Sequence, residues 1–98
     1  MQIMRFVENF SKERMIQEFV YNSRFTVISM TKDKELVELE PSEQYTYITL
    51  NKVKIPAVVI WIELYSTYMK ITYHPADSEE LVVQIPYNDI QSMELQTP

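Results

Sequence analysis

None of the 98 residues is glycine, and few absences restrict a chain of this size more. Glycine enters the left-handed region of backbone space at little cost; other residues do so reluctantly. A chain without it has no glycine-built phosphate cradle, no dinucleotide fingerprint and no nucleophile elbow. The tight corners of a closed small barrel also often use glycine. An open, strongly twisted sheet is therefore a serious rival to a barrel. Cysteine is absent as well, which excludes a disulfide framework, a thiolate metal site and a cysteine nucleophile. The length supports one hydrophobic core and is too short for two. With 46% hydrophobic and 12% aromatic residues, there is ample apolar area to fill that core, so residues 1–98 are expected to form a single domain.

One segment reads clearly as a helix. Ser11 is placed to cap it, with Phe10 before the cap and Met15 four residues after it, the spacing of a hydrophobic staple. Met15, Ile16, Phe19 and Val20 form an apolar stripe, Lys12, Glu13, Gln17 and Glu18 are expected to face water, and Asn22-Ser23 ends the helix. In residues 2–9, Ile3, Met4, Phe6 and Val7 fit a strand or two further helical turns, and helix is slightly favoured. Everything after Arg24 reads as β. Phe25–Thr31 is β-branched and aromatic, and Lys32-Asp33-Lys34 forms a turn. Glu35–Glu40 alternates, with Val37 and Leu39 inward and Glu38 and Glu40 outward. Tyr45–Leu50 puts Tyr45 and Tyr47 on one face and Ile48 and Leu50 on the other. Asn51-Lys52 reads as a two-residue turn. In Val53–Leu64, Pro56 requires an edge, a bulge or a strand start. Ala57–Leu64, apolar on both faces, reads as the central strand. Tyr68–His74 and Glu80–Ile85 follow, around a turn at Pro75-Ala76-Asp77-Ser78. The expected fold is α+β: one N-terminal helix packed on a curved antiparallel sheet or small β-barrel of five to seven strands.

The stretch Leu81-Val82-Val83-Gln84-Ile85-Pro86-Tyr87-Asn88-Asp89-Ile90-Gln91-Ser92-Met93 ends a strand in proline plus an aromatic, turns, and re-enters an apolar position. It resembles the end of bacterial pleckstrin-homology-like domains and the last strands of Sm-like small barrels such as the YolD-like family. The likeness covers thirteen residues, lacks the glycine hairpins of both families and implies a small barrel or sheet without any function.

Charge is distributed unevenly. The formal net charge is −5, residues 1–32 carry a slight basic excess, and Asp33–Glu43 holds five acids against Lys34. No lysine or arginine follows Lys70, whereas Asp77, Glu79, Glu80, Asp89 and Glu94 do. Such a surface repels phosphates and favours basic partners. Arg5 and Glu8 interrupt the apolar start, so no secretory signal is expected. The six-residue run Ala57–Ile62 cannot span a bilayer, which needs about 20 residues. A cytoplasmic protein without membrane contact is the expectation.

Candidate chemistry is sparse. His74 is the only histidine, and Asp77-x-Glu79 lacks the glycine pivot and closing glutamate of a calcium loop. No catalytic, metal-ligating or cofactor-binding residue is assigned. The leading expectation is a non-catalytic regulatory or inhibitory protein acting on a basic protein partner. Its surface would comprise Glu35, Glu38, Glu40, Asp77, Glu79 and Glu80, with Tyr45 and Tyr47 as anchors. Small acidic proteins of this kind are common among regulators carried by mobile elements. The alternative is an RNA or single-stranded DNA module using Tyr45 and Tyr47 with Arg5, Arg14, Arg24, Lys52 and Lys54. A homodimer joined through an edge strand is a third possibility, argued against at Lys54 and Pro56 if that strand is an edge.

Overall fold

A computed structural model describes residues 3–7, 9–21, 25–31, 35–42, 47–51 and 53–96. The elements, in chain order, are β1 (Ile3–Val7), α1 (Lys12–Tyr21), β2 (Phe25–Met30), β3 (Val37–Pro41), β4 (Tyr47–Leu50), β5 (Val53–Leu64), β6 (Tyr68–Pro75), β7 (Leu81–Pro86), a 3-10 turn (Tyr87–Asp89) and β8 (Ser92–Gln96). This is the expected α+β architecture, one helix on a curved antiparallel sheet, and the sheet does not close into a barrel. The slight preference for helix in residues 2–9 is overturned. Ile3–Val7 is a strand, paired along its length with β8, with Arg5 opposite Glu94.

β5 organises the sheet. Its first half pairs with β4 and its last residues with β3 along one edge, while β6 runs along the other. From there the sheet branches. One arm continues through β4 to β8 and β1, one through β3 to β2, and one through β6 to β7. Pro56 causes no break, because it lies in the interval between Ile55 and Val58 where the β4–β5 register shifts and before β6 pairing begins at Ala57. A proline is tolerated at such a bulge, where the ladder does not need its missing N–H. Since β5 is central, Lys54 and Pro56 are not edge residues, and they say nothing about edge pairing.

Alternation sorts the side chains into layers. Val37 and Leu39 of β3, Ile62 and Leu64 of β5, Met69 and Ile71 of β6 and Met93 and Leu95 of β8 are all buried. α1 covers them with Met15 and Phe19, and the Phe19 ring meets that of Phe25 at 4.7 Å between centroids. The helix starts as its sequence prescribes: Ser11 Oγ accepts from the Arg14 backbone N–H at 3.2 Å. Lys12 departs from expectation. It does not face water but is 8% exposed, because it stands on the same stripe as Met15, Ile16 and Phe19 and can bury its long methylene stem there.

The missing glycines are replaced by asparagine. Among the described residues, Asn9 (φ 56°) and Asn51 (φ 49°) take positive φ, the conformation asparagine tolerates best after glycine. Asn51 turns β4 into β5, with Leu50 paired to Val53. Its backbone N–H donates to the Ser92 carbonyl at 2.8 Å. Its Oδ1 accepts from the Gln91 and Ser92 N–H groups at 2.6 and 3.1 Å, and its Nδ2 donates to the Asp89 carbonyl at 3.0 Å. One side chain thus ties the β4–β5 hairpin to the start of β8. Replacing Asn51 by glycine keeps the turn and loses the side-chain bonds, at a cost of about 1–2 kcal/mol. Alanine also has to enter the left-handed region, which adds about 1–2 kcal/mol. Urea unfolding is expected to rank wild type above Asn51→Gly above Asn51→Ala.

Candidate functional site

The register that buries Ile62 and Leu64 turns Trp61 and Glu63 to the opposite face of β5. The alternation that buries Val37 and Leu39 does the same for Glu38 and Glu40. A polar row then crosses five strands on that outer face: Ser29 of β2, Glu38 of β3, Glu63 of β5, Lys70 of β6 and Gln84 of β7 are successive partners. In the neighbouring row Trp61 stands opposite Thr72, and Thr72 opposite Val82.

Glu38 and Glu63 are direct cross-strand neighbours, an arrangement that costs stability because like charges face one another. Neither has an ion-pair partner among the described residues. Their relief comes from neutral donors: Ser29 Oγ donates to Glu38 Oε2 at 2.6 Å, and the Tyr65 hydroxyl to Glu63 Oε1 at 3.2 Å. Lys70, opposite Glu63, places its Nζ over the Tyr65 ring, 5.8 Å from the centroid. Tyr65 and Tyr68 stack at 4.5 Å with an interplanar angle of 11°. Desolvation, then the charge of Glu63 and the hydrogen bond to it, raises the pKa of the Tyr65 hydroxyl.

The tyrosine pair is fixed from beneath. Buried Tyr87 donates its hydroxyl to the Tyr65 carbonyl at 2.7 Å and its backbone N–H to the Thr67 carbonyl at 3.1 Å. Burial, reinforced by the negative charge of Glu13, pushes the Tyr87 hydroxyl well above the ordinary tyrosine range. The same residue lines an open cavity of about 560 Å³ with Asn9, Phe10, Ser11, Asn88 and Ile90. That cavity lies at the start of α1, and no charged side chain lines it.

The residues singled out from sequence are divided by the fold. Glu38 and Glu40 share the outer face, and Glu35 is exposed just before β3. Asp77, Glu79 and Glu80 are exposed in the β6–β7 connection, beyond the Tyr73–Leu81 pair. They form a second acidic group at the far end of that hairpin. Tyr45, Arg24 and Lys52 lie outside the described residues, as do the side chains of Tyr47 and Lys54. Of the bases of the nucleic-acid alternative that can be followed, Arg5 Nε pairs with Glu94 Oε2 at 2.8 Å on the β1–β8 arm, and Arg14 Nε lies 3.5 Å from Glu18 Oε1 on the helix without hydrogen-bonding it. His74 is exposed at the end of β6, and no group of three metal-ligating side chains occurs among the described residues. Sequence reading missed Glu63 and assigned Trp61 to a buried strand. Period-two alternation from Ile62 and Leu64 was the available signal for both.

No protein-family model matches the chain, and neither the curated proteins nor the solved structures give a match. The site therefore has to be judged on its own chemistry.

The raised Tyr87 pKa carries a pH signature. Above about pH 10 the unfolded chain loses this proton while the folded one keeps it. The folded state then binds more protons, and stability falls with rising pH. Tyr87→Phe, which leaves the Tyr65 carbonyl without its donor, is expected to cost about 1 kcal/mol at pH 7. It should also make the decline between pH 9 and pH 11 shallower, as read from urea midpoints.

Proposed function

We propose that this protein is a small non-catalytic regulator or inhibitor that binds a basic protein through the outer sheet face of Glu38, Glu40 and Glu63 with Trp61, Tyr65 and Tyr68. The observation that carries this reading is the Glu38–Glu63 pair: two carboxylates facing each other across adjacent strands, with no salt bridge to either among the described residues and Lys70, opposite Glu63, set over the Tyr65 ring. A lysine or arginine from a partner would relieve that repulsion and would find flat aromatic surface beside it, the combination that anchors interfaces. Electrostatic attraction to the acidic surface would speed encounter and orient it. The basic target could be a nuclease, a polymerase or a DNA-binding regulator whose nucleic-acid site these acids occupy. Tyr65 and Tyr68 would be anchors on this face; Tyr45 and the Tyr47 side chain, the anchors expected from sequence, lie outside the described residues.

Nucleic acid fits this face less well. Stacking proteins place bases beside their aromatics to hold phosphates, and here the neighbours among the described residues are Glu38, Glu40 and Glu63 with Lys70. No helix among the described residues is long and apolar enough to cross a membrane.

Association kinetics test the reading on the basic protein that the immobilised chain retains from extract of its own cells. Glu38→Lys with Glu40→Lys is expected to lower the association rate about tenfold or more at low salt, and far less at high salt. Retention unchanged by the reversal would count against it. So would a low-salt mobility shift of short RNA or single-stranded DNA that Trp61→Ala with Tyr68→Ala abolishes.

A further inference from the structure

Among the described residues, three strands, β1, β2 and β7, pair on one side only. Natural sheets guard such edges with bulges, charged side chains or prolines, because unpaired N–H and C=O groups recruit further strands. β2 is guarded: its register with β3 shifts between Val27 and Ser29, leaving Ile28 as an unpaired bulge. β1 carries a charge at its centre, Arg5. β7 has neither a bulge nor a charge, and its proline, Pro86, stands at the last position, so Leu81 to Ile85 carry no guard. It runs six residues in unbroken register with β6, from Tyr73–Leu81 to Tyr68–Pro86, and no charged residue lies within it. Leu81 and Val82, on opposite faces, are 47% and 58% exposed. In an antiparallel ladder alternate N–H and C=O groups of an edge strand point away from its neighbour. Those of β7 have no partner among the described residues.

Charge decides what suits this edge. Asp77, Glu79 and Glu80 precede β7 and Asp89 follows it, while no lysine or arginine occurs beyond Lys70. A second copy of the chain would bring acid against acid at both ends of the joined strands, on molecules that each carry a net charge of −5. A basic segment would meet the opposite sign at both ends.

We infer that β7 is a docking edge for an extended segment of a basic protein, which adds to the sheet as one further strand. It would carry apolar residues at alternate positions on the face of Val82, and lysine or arginine at both ends against Asp77, Glu79, Glu80 and Asp89. Main-chain bonds would supply affinity, and the flanking charges would supply selectivity. The inference rests on the proposed binding of a basic protein and extends it. Gln84 ends the row that contains Glu38, Glu63 and Lys70, so an added strand would lie alongside the aromatic, acidic face.

The test titrates the full chain with a nine-residue peptide of alternating valine and threonine carrying two basic residues at each end. Two control peptides accompany it, one with alternate amides N-methylated and one with glutamates replacing the bases. Amide hydrogen exchange and chemical shifts provide the readout. The basic peptide is expected to slow exchange of the outward amides between Val82 and Ile85. Each control is expected to bind at least about tenfold more weakly. Val82→Lys, at an exposed site that leaves the core intact, and Glu79→Lys with Glu80→Lys are expected to weaken binding by a similar factor. Shifts confined to Trp61, Tyr65 and Tyr68, without protection in β7, would overturn the edge while leaving the face reading in place. Protection in β7 that survives Glu38→Lys with Glu40→Lys undiminished would keep the edge and count against the face. Equal binding of the glutamate peptide, no binding of the basic one, or β7 protection that grows with protein concentration alone would each overturn the inference, the last in favour of a second copy.

Discussion

The register along β5 decides which side chains become core and which become surface over most of this molecule. Three strands bond directly to it, so the parity of Ile62 and Leu64, both buried, passes to β3 and β6 and from them to β2 and β7. Slipping that register by one residue would turn Glu63 into the core and Ile62 into water, an exchange no domain of this size could survive. The outer face is thus a direct consequence of how the core is filled. Glu38 is opposite Glu63 because Val37 and Leu39 must be inside. The aromatic cluster is held in the same way, with Tyr87 buried under the β5–β6 turn and bonded to its carbonyl groups.

Local signals in the sequence were sufficient for much of this. The Ser11 cap, the stripe of Met15 and Phe19, the alternation in β3 and the asparagine turn at 51 each express their structure within a few residues. The elements that were misread depend on partners far along the chain. Ile3, Met4, Phe6 and Val7 satisfy both a helical and a strand period, and pairing with β8, some ninety residues away, decides between them. Lys12 was assigned to water by its charge, although its position belongs to the buried stripe. The candidate site was half legible. That Glu38 and Glu40 point outward follows from alternation, but that Glu38 meets Glu63 follows only from the β3–β5 register, which nothing local encodes.

A sheet face that juxtaposes two carboxylates sacrifices stability, and such sacrifices gather where a protein has something to bind. The contrast within the molecule is instructive. On the β1–β8 arm the same kind of cross-strand position pairs Glu94 with Arg5, so the sequence satisfies a strand carboxylate where nothing else is asked of it. At Glu38 and Glu63 the nearby cation, Lys70, lies over an aromatic ring instead. The β7 edge, guarded only by Pro86 at its last residue and flanked by acids, has the same bias toward a basic partner.

The most direct measurement of this account is a double-mutant cycle on Glu38 and Glu63, using glutamine replacements and urea unfolding of the free protein at low and high salt. A repulsive coupling of about 0.2–1 kcal/mol is expected at low salt. Each single replacement would then stabilise the fold, and the coupling would shrink as salt rises. A coupling of zero, or one that favours the two carboxylates together, would mean that the pair is already neutralised within the chain and would contradict the claim that it is held open for a partner.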